Sequence, residues 1–532
     1  MNPRHDFVIV GAGSAGCVLA ARLSEDPTCR VLLLEAGGPD RSMQIRMPAA
    51  FTKLFKTAYD WDYSTGPQAA LSGRELYWPR GKTLGGCSSM NAQMYVRGNA
   101  ADYNLWEDLG NPGWSFADVL PYFQRAEGYS RPTAGLHGAS GPLRIEELRD
   151  PNPTTAAFLD AAVQAGIPRL DDVNGPSQDG AAYTRVTQRR GRRWSSADAY
   201  LHPAARRKNL TVLTGVHATR ILFEGRRASG LEYLREGKLE RVTCQELIIS
   251  GGSVNSPQLL QLSGIGPGQE LRSHGIEVVH DAPGVGQNLQ DHLALPVIAA
   301  CPEPVSLVAA ESVGNLLRYL LFKKGMLTSN LGEACAFVRS RPQLAAPDLE
   351  LVFAPVPFVG HGLTPQRNHA LTIGVVLLQP RSRGSVRLRS PDPLQRPRIL
   401  PDYLSDAGGE DVRTMALGVE LARRVFQAPA LARYVGAELQ PGPQLTIHDA
   451  IRTQTETLYH PVGTCRMGTD ELAVVDPQLR VRGLTGLRVV DASVMPTIIR
   501  GHTHAPTVMI AEKAADLILG RALVAPVRAK VA

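Results

Sequence analysis

The segment Phe7 to Glu35 constrains this chain more than any other. The apolar run Phe7-Val8-Ile9-Val10 passes directly into Gly11-Ala12-Gly13-Ser14-Ala15-Gly16, a helical stretch follows to about Leu23, and Val31-Leu32-Leu33-Leu34 ends on Glu35. Strand, glycine turn, helix and strand in about thirty residues make one right-handed βαβ unit, so a parallel sheet has to be built around it. A lone G-x-G-x-x-G says little, but one that leaves a strand, opens a helix and is followed by an acid at the end of the next strand predicts dinucleotide binding. Gly11 permits the tight turn, Gly13 lets the backbone approach a pyrophosphate, and Gly16 with Ala20 lets the helix pack on the sheet. The phosphates are expected on the helix N-terminus, where unpaired N–H groups favour negative charge, and Glu35 is expected to accept from a ribose hydroxyl.

The 532 residues exceed one typical domain and predict two large domains or one divided architecture. Further parallel-type strands are expected at Leu210 to Leu213, Glu246 to Ser250 and Leu487 to Val490, each apolar enough to be buried on both faces. The nucleotide-binding unit is therefore assembled from separated pieces of chain. Between them, Leu349 to Phe353, Leu371 to Val376 and the alternating Gly384 to Arg389 read as antiparallel strands with one face covered, the wall of a substrate domain. Helices are expected at Asp411 to Phe426 and Thr507 to Leu519.

The formal charge of +7 raises the question of nucleic acid, but the basic residues are interspersed with acids. The short clusters at Arg189 to Arg193 and Arg206 to Lys208 read as solvated surface, and no nucleic-acid partner is expected. Weak attraction to anionic lipid is compatible with this balance. Seven dispersed cysteines without a C-x-x-C pair predict neither a disulfide framework nor a zinc site and fit a reducing compartment. The first strand begins too near Met1 to leave room for a signal peptide, and no apolar run is long enough to span a bilayer. The expected setting is cytoplasmic, at most peripheral at the inner membrane.

Longer motifs resolve which dinucleotide is meant. Gly81-Lys82-Thr83-Leu84-Gly85-Gly86-Cys87-Ser88-Ser89-Met90-Asn91 resembles the first signature of the glucose-methanol-choline (GMC) oxidoreductases, and Gly252 to Gly266 resembles the second throughout. The likeness continues through Gly284 to His292, Tyr459 to Gly468 and Val490 to Pro496, and so covers nearly the whole chain. It is greatest to the bacterial branch of choline and aliphatic alcohol dehydrogenases. The resemblance implies FAD, an alcohol substrate and a mixed α/β fold, α+β overall: a discontinuous Rossmann-like FAD-binding domain (1–100, 205–297 and 455–525) and a substrate domain with an antiparallel sheet (101–204 and 298–454). It implies flavin contacts at Gly11, Gly13, Ser14, Ala15, Gly16, Glu35, Ala36, Leu84, Gly86, Asn91, Ala218, Tyr459, Asp491, Ala492, His502 and Thr503.

The chain departs from that pattern in two places. Met90 stands near where some relatives attach flavin through a histidine, which predicts non-covalent FAD. Histidines occupy both positions of Gly501-His502-Thr503-His504 where the choline-dehydrogenase branch usually has asparagine. Hydride loss from an alcohol carbon requires loss of the hydroxyl proton, and neutral imidazole suits that task near neutrality. His460 is the expected base, and His504 the expected second group beside the alkoxide oxygen. Asp291 and His292 read as bracing a loop. Pro506 and Thr507 open the last helix, whose positive end suits an anionic reduced flavin.

Other assignments compete with this one. His460, His502 and His504 could bind a metal, but no acid or cysteine nearby in sequence completes a set, and no metal is expected. Trp61, Tyr63 and Tyr459 offer aromatic faces for a quaternary ammonium, with ordinary core packing the simpler reading. The expected reaction is oxidation of a primary alcohol to the aldehyde, with electrons passed to a quinone or other acceptor. An oxygen-using oxidase, a choline dehydrogenase and an FAD-containing hydroxynitrile lyase are the alternatives that the resemblance leaves open.

Overall fold

The structure is a computed structural model and describes residues 4–133 and 135–527. Strands β1 (His5–Val10) and β2 (Val31–Glu35) flank helix α1 (Ser14–Leu23), as the opening pattern requires. They belong to a seven-stranded sheet with β3 (Leu210–Thr214), β4 (Val216–Glu224), β5 (Arg227–Arg235), β6 (Lys238–Ile249) and the Leu487–Val489 strand. The parallel part runs β3-β2-β1-β6, with Leu487–Val489 on the far side of β6. Twelve residues long, β6 serves two pairings: its second half lies parallel to β1, and its first half is antiparallel to β5. Pieces of chain more than 200 residues apart thus share one sheet.

One expectation about this sheet is corrected. β3 is its outermost strand, where cover is partial, so Leu210 alone is buried and Thr211 is exposed; it is not enclosed on both faces.

A second, antiparallel sheet runs β8 (Ala334–Val338), β9 (Leu349–Ala354), β10 (Ala370–Leu377), β7 (Leu293–Ala300), with Glu438–Gln440 and Glu456–Thr457 also paired to β7. Side chains alternate as a pleated strand demands. Leu349, Leu351 and Phe353 of β9 join Ile373 and Val375 of β10 in a core beneath helices α2 (Pro153–Gln164) and α4 (Glu410–Phe426). Val352, Ala354, Thr372, Gly374 and Val376, from the opposite face, line the main cavity. Both faces are therefore covered, one by helices and the other by the cavity and what surrounds it, where a single covered face was expected. β7 starts at Leu293 and Glu456–Thr457 joins the same sheet, so the antiparallel layer draws in residues just outside 298–454.

Gly384 to Arg389 does not extend this wall. Ser385–Arg387 pairs with Arg398–Leu400 in a separate two-stranded ribbon, and Val386 bonds through its backbone to Gly286. The amide of Gln261, on the Gly252–Leu262 helix, donates to the Val386 carbonyl at 3.0 Å. These partners draw the segment against the Gly252–Leu262 helix, with Val386 still in the core of the second sheet.

Helix α5 (His504–Leu519) packs along α1. Its Glu512 is fully buried and accepts from Arg22 Nε at 2.9 Å and Tyr200 Oη at 2.8 Å, with Arg125 Nε also 2.8 Å away. A carboxylate removed from water needs such partners, and this cluster holds the last helix in register with its N-terminus at the cavity. Between α2 and α4 in the chain, helix α3 (Val313–Phe322) lies on the surface.

Candidate active site

A cavity of about 550 Å³ runs from the α1 turn to the antiparallel sheet. Gly11, Gly13, Ser14, Ala15, Glu35 and Ala36 line one end. Gly11 has φ +100°, and a Cβ there would sit 2.4 Å from the Ser250 carbonyl oxygen, so no other residue fits. A Cβ on Gly13 would meet only Gly86 Cα at 3.9 Å, which leaves that backbone open to the cavity. Gly16 does not line it; its missing Cβ would strike the Gly11 carbonyl, which is the helix-packing role its position predicts. Glu35 accepts the N–H groups of Ala12 (2.9 Å) and Gly37 (2.8 Å), and burial pushes its carboxyl up to about 7.

The other expected contacts separate into groups. Ala218 and Trp61 line the cavity beside His217. Gly86, Asn91 and Met90 come from the first-signature loop, where Asn91 Oδ1 accepts from buried Arg193 at 2.7 Å. Asp491 and Ala492 close the floor: Asp491 accepts from Gly252 N–H at 2.8 Å and Ser493 N–H at 2.8 Å, tying the second signature to the C-terminal segment. Leu84 is an exception, since its side chain lies in the core and not against the cavity. Trp61, Tyr63 and Tyr459, for which core packing was the simpler reading, do not converge on one point. Trp61 stacks on buried Tyr63 with Lys82 Nζ 4.6 Å from its ring, whereas Tyr459 packs on Phe55 and bonds His361 Nδ1 at 2.7 Å.

His460 lies where several elements meet. Tyr459 before it has φ +68°, an unfavourable conformation for a tyrosine that is held by its N–H to Thr457 Oγ1 (2.8 Å). The His460 N–H donates to Asp291 Oδ1 at 2.7 Å, and Asp291 also accepts from Thr457 Oγ1 (2.6 Å) and the Tyr403 hydroxyl. Burial raises this carboxyl to about 6.

The side chain is oriented by a second histidine. His292 Nε2 lies 3.1 Å from the Leu378 carbonyl, which can only accept, so the proton is on Nε2 and Nδ1 is an acceptor. His460 Nδ1, 3.0 Å from that atom, is then the donor, and its Nε2 keeps a lone pair. Burial, first, and the neighbouring His502, His292 and Arg80 hold His460 well below the ordinary histidine pKa; burial takes His292 to about 3.

His502 meets the other side of that ring, centroids 4.9 Å apart and nearly perpendicular, with its Nε2 3.0 Å from Glu350 Oε1. Thr503 precedes α5 and His504 is its first residue, so the helix begins before Pro506 and Thr507, where the sequence suggests it opens. His504 Nε2 lies 3.1 Å from Ser196 Oγ, its Nδ1 has no protein partner, and burial lowers its pKa to about 4. Of the two histidines in the Gly501–His504 segment it is thus His502 whose ring meets His460, beside His292, while His504 lines the same cavity on its own support.

Two contributors escaped the sequence reading. His292 reads as part of a loop brace, and its role as a partner of His460 depends on a contact across 168 residues. Glu350 had a signal: an acid inside Leu349-Glu350-Leu351-Val352-Phe353, fully buried here, must have a partner.

The arrangement fits a flavin nucleotide. The α1 N-terminus has no side-chain cap, Gly13 is open to the cavity, and both polar atoms of the Gln93 amide and His504 Nδ1 lack protein partners. Residues 5–294 and 380–511 match the GMC oxidoreductase family. The chain is 52% identical over 531 residues to an uncharacterised GMC-type oxidoreductase of Mycobacterium tuberculosis, covering 97% of this chain and all of that one. It is 44% identical over 541 residues to an alcohol dehydrogenase (acceptor) of Pseudomonas putida, covering 99% and 98%. The crystal structure of pyridoxine 4-oxidase from Mesorbium loti superposes with a TM-score of 0.90 at 36% identity, over 98% of this chain and 100% of that one. With the glycine turn, the buried histidines and nearly full-length likeness all in agreement, this chain belongs to the GMC oxidoreductase family of flavoproteins.

Proposed function

We propose that this protein oxidises a primary alcohol to the aldehyde, with His460 as the base and a quinone or similar carrier as electron acceptor. The observation that carries the reading is the chain from the Leu378 carbonyl through His292 to His460. It leaves His460 Nε2 unprotonated, and burial keeps the ring neutral at physiological pH. The α1 turn, Glu35, Asn91, Asp491 and Ala492 would hold FAD without a covalent link, and the bound flavin would supply the hydride acceptor. His460 Nε2 takes the hydroxyl proton as the C–H bond gives up its hydride, so the two leave as the carbonyl forms. His504, neutral at working pH, donates from Nδ1 to the oxygen as it gains charge. His502, anchored by Glu350, limits the ring positions open to His460. Phe51, Phe55, Phe358 and Leu331 give the cavity an apolar section that excludes water and suits an aliphatic or aromatic alcohol.

The dehydrogenase reading is supported by the likeness to the Pseudomonas putida enzyme. Among the described residues no helix is long and apolar enough to cross a membrane, so a bilayer-borne acceptor would be met from the surface. The test is the visible spectrum of anaerobic enzyme as aliphatic, aromatic, sugar and quaternary-ammonium alcohols are added singly. Bleaching by one class supports the proposal, and readmitting oxygen or a quinone identifies the acceptor. A bound flavin that none of them bleaches rejects the proposal and favours the lyase alternative.

A further inference from the structure

Helix α3 departs from the usual arrangement, in which a surface helix turns its apolar side inward. Val313, Leu316, Leu317, Leu320, Leu321 and Phe322 are all exposed, Val313 at 74%, Leu321 at 70% and Phe322 at 64%. Tyr319 is the one buried side chain of the helix. It sits among Met47, Leu307 and Leu327, and its hydroxyl donates to the Arg46 carbonyl at 3.2 Å. The other end is tied as well: Ser312 Oγ caps the Asn315 N–H, and the Asn315 amide donates to the Ala309 carbonyl at 2.9 Å. An anchored helix therefore presents 313, 316, 317, 320 and 321, the spacing of one continuous stripe, to the outside.

The rim of the stripe is basic. No acid lies within Val313–Phe322, Arg318 is exposed on the helix, and Lys323 and Lys324 follow it. The Arg189–Arg192 loop is adjacent, since Gly191 packs against the Lys323 carbonyl, and its Arg189, Arg190 and Arg192 are exposed. The acids nearby are engaged: Glu311 is paired with Lys53 at 2.7 Å, Asp150 accepts from the Gly325 N–H at 2.7 Å, and Glu146 accepts from the Arg190 N–H at 2.9 Å. Beneath the helix, Leu331 packs with the cluster that holds Tyr319 and with the one that contains Phe51 and Met90, and it lines the main cavity. The apolar face is thus one packed layer from the site.

We infer that the exposed face of α3 docks on a bilayer surface carrying anionic headgroups. The helix lies in the interfacial plane with Val313 and its leucines among the acyl chains and the Arg/Lys rim at the headgroups. Apolar side chains ringed by cations match such a surface in both chemistry and charge. The inference rests on the proposed acceptor only in its purpose, which is to bring the cavity to a carrier dissolved in lipid.

Flotation of the FAD-loaded full chain with phosphatidylcholine vesicles, with and without phosphatidylglycerol, tests it. The wild type should float with the anionic vesicles, bind those of phosphatidylcholine alone more weakly, and be released by salt. Leu317→Ser/Leu320→Ser/Leu321→Ser should weaken flotation by at least about ten-fold, and Arg318→Gln/Lys324→Gln by about five-fold per charge. Both variants should keep bound flavin and wild-type rates of its reduction by alcohol. Unchanged flotation of the triple variant, or a wild type that binds neither vesicle, overturns the inference. So does a wild-type dimer that the triple variant converts to monomer, because a second copy would then cover the face. None of these outcomes affects whether alcohols bleach the flavin, so failure here is distinct from failure of the proposed reaction.

Discussion

The Nδ1 atoms of His292 and His460 lie 3.0 Å apart, and because His292 gives its Nε2 proton to the Leu378 carbonyl, their shared proton belongs to His460. In the proposed reaction His292 thereby sets which nitrogen of His460 is free to act as the base, so that it works through another residue. His292→Ala should retain FAD and slow anaerobic flavin reduction by roughly ten- to a hundred-fold, an effect short of the full value of general-base assistance. Stopped-flow reduction at saturating alcohol measures it, and a rate equal to wild type would remove His292 from the account.

Loss of the proposed base should be more severe. His460→Ala should keep its yellow colour and reduce about 10²–10⁴-fold more slowly. His504→Ala should also reduce sharply more slowly. Wild-type reduction kinetics in either variant would reject that residue's assignment.

The pH dependence has a definite sign. A base must be neutral to act, and His460 is held well below the usual histidine range by burial. The reduction rate should therefore stay level as pH falls through the ordinary histidine value of 6.5, and drop only in more acidic solution as the ring finally protonates. A pH profile of the reductive half-reaction shows this directly, and an inflection between 6 and 7 that vanishes in His292→Ala would contradict the assigned tautomer and its environment.

Gly13 is the test of the cofactor cradle. A Cβ there meets only Gly86 Cα at 3.9 Å, so the bulk of a valine falls in the space in front of the α1 N-terminus, and Gly13→Val should fold and purify without flavin. A fully occupied yellow protein would move the pyrophosphate elsewhere.

Glu512 links the site to stability. It is fully buried against Arg22, Arg125 and Tyr200. Glu512→Ala leaves those donors unmatched and should cost about 2–3 kcal/mol, the scale of a hydrogen bond to a charged group, read as a lower denaturation midpoint. A midpoint unchanged from wild type would mean that the cluster does not hold α5.

Much of the fold was legible because its signals are local. The alternation of Leu349, Leu351 and Phe353 marks a strand within five residues, and Gly11 to Gly16 marks a strand-to-helix turn within six. The segment Gly384 to Arg389 alternates as well, yet it left the predicted wall because its backbone partners, Gly286 and Leu400, are remote in sequence. Alternation reports that a strand has an inner side, and says nothing about which sheet supplies its neighbours.

The same division runs through the site. His460 and His504 could be named from sequence since their motifs are contiguous, and Glu35 since its distance from the glycine turn follows from the length of one βαβ unit. Contiguous segments of chain were therefore enough to read the βαβ cradle, the family likeness and the candidate histidines. Contacts between remote segments were needed to show that His292 orients His460, that His502 and not His504 touches its ring, and that Glu350 holds His502. A histidine becomes a base through the proton on its other nitrogen and through its removal from water, and both come from neighbours that the chain brings in from more than 100 residues away.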